Sequence, residues 1–195
     1  MAQKGVLTEA EPLQYDDYKK LVDGLRKDKK YKWELYCRLS FGTAFRVSDI
    51  RKLKWKDVLD KSHTTRTEQK TDKTRRVKFN QKSVSTIKEL YELLGKPDIE
   101  SYVLENARTK QPYTTKHINE RLKVFRVDYQ LPITNFSTHS LRKTFGKHFY
   151  ESKGKSPHAL MLLCRAFKHD SPQTTLAYIG ITNDEIDSVY EALDI

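Results

Sequence analysis

The chain has 195 residues, enough for one sizeable core, and its 32% charged and 37% hydrophobic residues suit a globular domain rather than a disordered one. No apolar run approaches the roughly 18 residues of a membrane-spanning helix, and the opening MAQKGVLTEAEPLQ lacks the apolar centre of a secretory signal. A net charge of +11 points to a polyanionic partner.

The elements are predicted in chain order. LQYDDYKKLVDGL repeats apolar residues near the helical period and forms a first helix. YKWELYCRLSFGTAF is a second, more buried helix, loosened at its end by Gly42. RVSDIRKLKW offers Ser48 as the N-cap of a short third helix. HTTRTEQKTDKTRRVKFN alternates and is rich in Thr and Val, so it reads as a basic hairpin turning at TDKT. SVSTIKELYELLG is a helix that Gly95 stops, and YVLEN is a short strand. YTTKHINERLKVFRVDYQ is capped by Thr114 or Thr115, and STHSLRKTFGKHFYESKG by Ser137 or Thr138 with Gly154 as its stop. SPHALMLLCRAFKH is a strongly apolar helix, SPQTTLAYIG starts at Ser171 with Pro172 in its first turn, and NDEIDSVYEAL is a last, acidic helix capped by Asn183. The sum is a single α+β domain, mostly helical, with one small antiparallel sheet.

The charge is unevenly spread. Residues 51–82 hold twelve Lys and Arg against four Asp and Glu, whereas residues 183–195 hold five acids and no base. The basic cluster suits a phosphate backbone, and Lys73, Arg75, Arg76 and Lys143 are candidates to bind it. Cys37 and Cys164 sit far apart in apolar patterns and read as buried free thiols of a reducing cytoplasm. No Cys/His spacing suggests zinc and no Gly-rich loop a nucleotide, so neither metal nor cofactor is expected.

Several polar residues stand where anion chemistry needs them. In STHSLRKTFGKHF, His139, Arg142 and Gly146 share one helical stripe, and a capped helix start favours an anion. Gly146 permits a close approach. Arg46 in TAFRVSDI lies among apolar neighbours and needs an anion or a buried carboxylate, for which Asp49 is near in sequence. Lys70 lies in the basic hairpin, His169 just before a helix, and Tyr178 nine residues later.

In this order the residues resemble the signature of the tyrosine recombinases, the phage integrase family. TAFRVSDI with Arg46 is similar to the family's first-arginine segment, QKTDK with Lys70 to its hairpin lysine, and HSLR with His139 and Arg142 to its H-x-x-R. FKHDS with His169 is similar to the fourth piece, and TTLAY with Tyr178 to the nucleophile's T-T-x-x-Y. The resemblance covers roughly residues 12–182. Asp72 replaces a turn glycine, Lys73 competes with Lys70, and Lys143 stands where histidine is frequent.

The resemblance implies a recombinase catalytic domain over 1–182, with a tail at 183–195 that docks on its own domain or on a neighbouring protomer. The family's N-terminal clamping domain is expected to be absent, as in a short invertase-like enzyme or an isolated catalytic domain. It implies double-stranded DNA as partner, a homotetramer on DNA from a free monomer, and no membrane. Tyr178 would be the nucleophile, Arg46 and Arg142 would bind the phosphate, and Lys70 would protonate the leaving oxygen. His139 would move the tyrosine's proton, and His169 would hydrogen-bond the phosphate. A DNA-binding module without chemistry, or a type IB topoisomerase, are the competing readings.

Overall fold

The computed structural model describes residues 10–67 and 74–181. Helix α1 (Tyr15–Lys27) turns Tyr18, Leu21, Val22 and Leu25 inward. Its first turn is acidic and its last basic, which complements the helix dipole. It packs on α2 (Tyr31–Thr43), the central helix, which is buried on most of its surface.

Glu34 of α2 is fully buried, yet it is charged. Arg38 Nε lies 2.7 Å from one carboxylate oxygen, and Arg26 Nε of α1 lies 2.9 Å from the other. This pairing permits a carboxylate in the core. Helix α2 runs straight through Gly42 and stops at Ala44, which adopts a left-handed φ of 48°. Gly42 therefore does not loosen the end. An alanine in that conformation is strained, and the surrounding contacts must hold it.

Helix α3 (Val47–Ile50) follows at once, with Arg46 in the cap position, so Ser48 lies inside it rather than capping it. A 3-10 turn at Trp55–Asp57 leads to the hairpin. Strand β1 (His63–Thr67) pairs antiparallel with β2 (Thr74–Lys78), His63 opposite Lys78 and Thr67 opposite Thr74. The expected turn at TDKT, with Lys70 and Lys73, lies outside the described residues.

Asn80 caps α4 (Gln81–Leu93) by accepting from the Ser83 N–H at 2.8 Å, and Gly95 follows its end at φ 82°. YVLEN forms no strand; that stretch makes only isolated bridges, Lys54 to Tyr102 and Glu105 to Pro112. Thr114 caps α5 (Thr115–Asp128), accepting from the His117 N–H at 3.1 Å.

Helix α6 (Ser140–Ser152) starts later than its sequence suggests, with His139 in the cap position. Ser137 and Thr138 are spent on the preceding turn instead. The Ser137 N–H donates to the Ser140 hydroxyl, and the Thr138 N–H donates to Asn119 Oδ1 of α5 at 2.9 Å. Ser156 caps α7 (Pro157–Phe167), and Ser171 caps α8 (Pro172–Ile179). The expected helix from Asn183 lies outside the described residues.

Two apolar clusters result. The larger centres on α2, with Leu21, Leu35, Tyr36, Phe125 and Leu141 fully buried. The smaller joins Ala44, Leu163, Phe167 and Ile179. It closes because α6 carries Gly146 where α7 and α8 meet it. A Cβ there would stand 2.6 Å from Ile179 Cγ2 and 2.8 Å from the Phe167 ring. The close approach expected of Gly146 is thus made by the helix that carries Tyr178. Cys37 and Cys164 are both buried and free.

Candidate active site

Arg142 projects from the first turn of α6 and is only 3% exposed. Its Nη1 donates to the Ala44 carbonyl at 2.5 Å and its Nη2 to the Phe167 carbonyl at 3.2 Å. Its guanidinium lies 4.7 Å from the Phe167 ring centre. Backbone carbonyls and a π face thus hold the fork in place. The left-handed Ala44 supplies one of those carbonyls and turns the chain toward Arg46 two residues on.

Tyr178 sits near the end of α8. Its ring meets Phe167 edge-on at 5.4 Å and His169 edge-on at 5.0 Å. The Lys143 ammonium lies 5.3 Å from the ring centre and the Arg142 guanidinium 5.8 Å. The hydroxyl is shielded from water and makes no hydrogen bond of good geometry among the described residues. Burial pushes its pKa up, while the adjacent Arg142 and then Arg46 pull it back. The resting hydroxyl is therefore protonated and next to positive charge.

His169 is fixed by its neighbours. Its Nδ1 lies 3.1 Å from Thr175 Oγ1, and its backbone N–H donates to the Cys164 carbonyl at 3.0 Å. Burial lowers its pKa, and Arg142 and Arg46 lower it further. His139 opens α6 with its side chain exposed. Surrounding protein lowers its pKa first, then the charges of Arg142, Lys143 and Arg46. Both imidazoles are therefore neutral at pH 7.

The charges of Arg46 and Arg142 act on all three of His139, His169 and Tyr178. Residues from α3, α6, the end of α7 and α8 thus converge on one site. Two guanidiniums, two neutral imidazoles and a phenol can bind a phosphodiester and exchange its ester oxygen. Among the described residues no three His, Cys, Asp or Glu side chains converge as a metal-ligand set.

The residues expected to bind DNA divide. Arg76 is exposed on β2. Lys143 is only 4% exposed and turns to Tyr178. Arg75 is half-buried, with Nη2 donating to the Thr43 carbonyl at 2.7 Å and Nη1 to the Ala44 carbonyl at 3.0 Å. Three partners escape the sequence reading. Thr175 lies inside the quoted TTLAY, but only the fold shows its contact with His169. Asn119 and the Ala44 carbonyl carry no local signal at all.

The profile of the phage integrase family matches residues 11–185. The chain belongs to that family. The matched span agrees with the region of resemblance read from the motifs. A probable integrase/recombinase of Bacillus subtilis, YoeC, is 33% identical over 162 residues, covering 80% of this chain and 82% of that protein. XerA recombinase superposes with a TM-score of 0.70 at 19% identity, over 98% of this chain and 66% of its own. XerH recombinase, bound to its difH substrate, gives 0.70 at 19% identity over 98% and 56%. The catalytic domain of bacteriophage HP1 integrase gives 0.59 at 20% identity over 94% and 95%. These structures establish the tyrosine-recombinase catalytic fold. The chain spans 66% and 56% of XerA and XerH.

Proposed function

We propose that this member of the phage integrase family is a site-specific recombinase that cuts and rejoins DNA through a 3′-phosphotyrosyl link at Tyr178. The observation that carries the reading is the Tyr178 hydroxyl, buried and protonated under the charges of Arg142 and Arg46. In the mechanism, the two guanidiniums bind the non-bridging oxygens and stabilise the charge of the pentavalent transition state. Neutral His139 takes the phenol proton as the oxygen attacks phosphorus. His169, held by Thr175, donates to the phosphate. Lys70 of the hairpin gives a proton to the departing 5′-oxygen. The reverse steps rejoin the strand, and the ester energy is kept in the covalent link.

Double-stranded DNA is the partner. XerH and lambda integrase are both seen bound to their DNA sites, the latter as a dimer. Exposed Arg76 and the basic 51–82 stretch support phosphate-led binding. The reaction integrates, excises or inverts a mobile element in the cytoplasm, in a tetramer on two sites. No helix among the described residues is long and apolar enough to cross a membrane. Residues 183–195, whose Ile186, Val189, Tyr190 and Leu193 form an apolar stripe in the sequence, dock either on their own domain or on a neighbouring copy. A cavity of about 410 Å³ on the catalytic domain, walled by Tyr18, Phe41 and Phe145 with Arg38, Lys78 and Lys82, offers an apolar floor and the charge opposite to that tail.

The test is covalent trapping. Supercoiled and nicked DNA are incubated with the protein and quenched in detergent. An adduct formed by the wild type and not by Tyr178→Phe supports the reading. Binding without an adduct on any DNA contradicts it, and relaxation of supercoils without site preference replaces it with a topoisomerase.

A further inference from the structure

The hairpin carries two arginines directly opposite each other, Arg66 on β1 and Arg75 on β2. Like charges at opposed positions of an antiparallel pair repel, so the arrangement needs compensation. Both side chains find it on the body of the domain. Arg75 grips the Thr43 and Ala44 carbonyls at 2.7 and 3.0 Å, and its guanidinium lies 5.3 Å from the Phe45 ring centre. Arg66 donates to the Lys52 carbonyl and lies 3.6 Å from the Asp57 carboxylate. One strut therefore lands just before α3 and the other just after it.

The landing points matter. The Ala44 carbonyl that accepts Arg75 also accepts Arg142. Arg46 opens α3, which lies between the two anchors. Nearer the turn, Lys168, next to His169, donates from Nζ to the Thr74 carbonyl at 3.2 Å. The hairpin is thus tied at three points to the segments that hold Arg46, Arg142 and His169.

We propose that Arg66 and Arg75 are positioning residues that lock the hairpin to the phosphate-binding arginines and so set the reach of its general-acid lysine. This rests on the reading above that the hairpin supplies the acid. Each anchor uses the planar fork or the long reach of arginine, which lysine does not reproduce. A pure charge contact with DNA would survive that change.

The test compares two leaving groups on a synthetic duplex of the sequence recovered from trapped adducts. One duplex has the natural 5′-oxygen at the scissile bond. The other has sulfur there, which departs as a thiolate without a proton. On the oxygen substrate, Arg75→Lys and Arg66→Lys should each slow cleavage at least about 10-fold, within the range of a misplaced general acid. On the sulfur substrate they should come within about 3-fold of wild type. Equal losses on both substrates would overturn the proposal, since the arginines would then serve the phosphate site or the fold. Unchanged rates for both lysine variants would overturn it as well. Lys70→Ala and Lys73→Ala are the controls. If sulfur restores neither, the reading of a hairpin acid falls and the proposal with it. If it restores one of them but neither arginine variant, the proposal alone falls.

Discussion

Ile179 Cγ2 of α8 occupies the space where Gly146 of α6 would carry a Cβ, 2.6 Å away. The helix that carries Tyr178 is seated by that absence. Ile179 follows Tyr178 directly and Phe167 meets its ring edge-on, so a side chain at 146 presses on the phenol's immediate neighbours. Gly146→Ala should destabilise the protein by about 1–3 kcal/mol through overpacking. It should also slow adduct formation more than the stability loss explains. Urea midpoints and single-turnover cleavage measure the two effects. An unchanged cleavage rate would show that α8 is not seated by this contact.

The contact between His169 and Thr175 gives a second expectation. Thr175 Oγ1 lies 3.1 Å from His169 Nδ1 and 3.3 Å from the Ser171 carbonyl, and by donating to Nδ1 it leaves the imidazole proton on Nε2, the side that faces the phosphate in the proposed reaction. Thr175→Ala should slow cleavage by about 10-fold, equivalent to one hydrogen bond of about 1.4 kcal/mol. Thr175→Ser keeps the hydroxyl and should restore most of the rate. Equal defects in both variants would point to methyl packing instead.

Much of this site is legible in the sequence, because its side chains sit in short motifs with helix caps beside them. Ser171 caps where its sequence says it should, with proline following at the first helical position, and Ser156 caps α7 in the same way. Ser48, Ser137 and Thr138 do not cap: Arg46 and His139 take the cap positions, Ser137 is engaged in a local turn with Ser140, and a tertiary contact claims Thr138. Thr138 is held by Asn119, nineteen residues away. The YVLEN stretch has strand composition but only bridge partners. The supports of Arg142 are backbone carbonyls at Ala44 and Phe167, and any residue type offers a carbonyl. Gly42 has the residue type for a left-handed turn, yet Ala44 makes it.

The buried carboxylate of Glu34 predicts a stability effect without a catalytic one. Glu34→Ala leaves Arg26 and Arg38 facing a cavity. Both arginines remain 30% exposed and can rehydrate, so the loss should be about 2 kcal/mol, below that of a fully enclosed pair. The cleavage rate of the folded fraction should match wild type. A rate loss larger than the unfolded fraction would tie this network to the active site.

The two histidines set an acid limb. Their folded pKa values lie below the ordinary 6.5, so the unfolded chain binds more protons between those values and 6.5. Their stabilising contribution is complete above pH 6.5 and is lost as pH falls below it. Tyr178 sets part of the alkaline limb with the opposite sign. Its folded pKa is raised above 10.0, so stability falls as the unfolded chain ionises above that pH. Denaturation midpoints across pH 5–11 should show His139→Asn and His169→Asn flattening the acid side and Tyr178→Phe flattening the alkaline side. An acid limb unchanged in both histidine variants would contradict the environment described for them.

The central claim is that Tyr178 becomes joined to the 3′ side of a cut strand. The direct measurement is to trap the adduct on nicked duplex DNA, digest it with protease, and identify the modified peptide and the free DNA end. The expected result is a phosphotyrosyl bond in the peptide containing Tyr178, with a 5′-hydroxyl that accepts label from a kinase without prior phosphatase treatment. A bond at another residue, or a 5′-phosphate left at the cut, would contradict it.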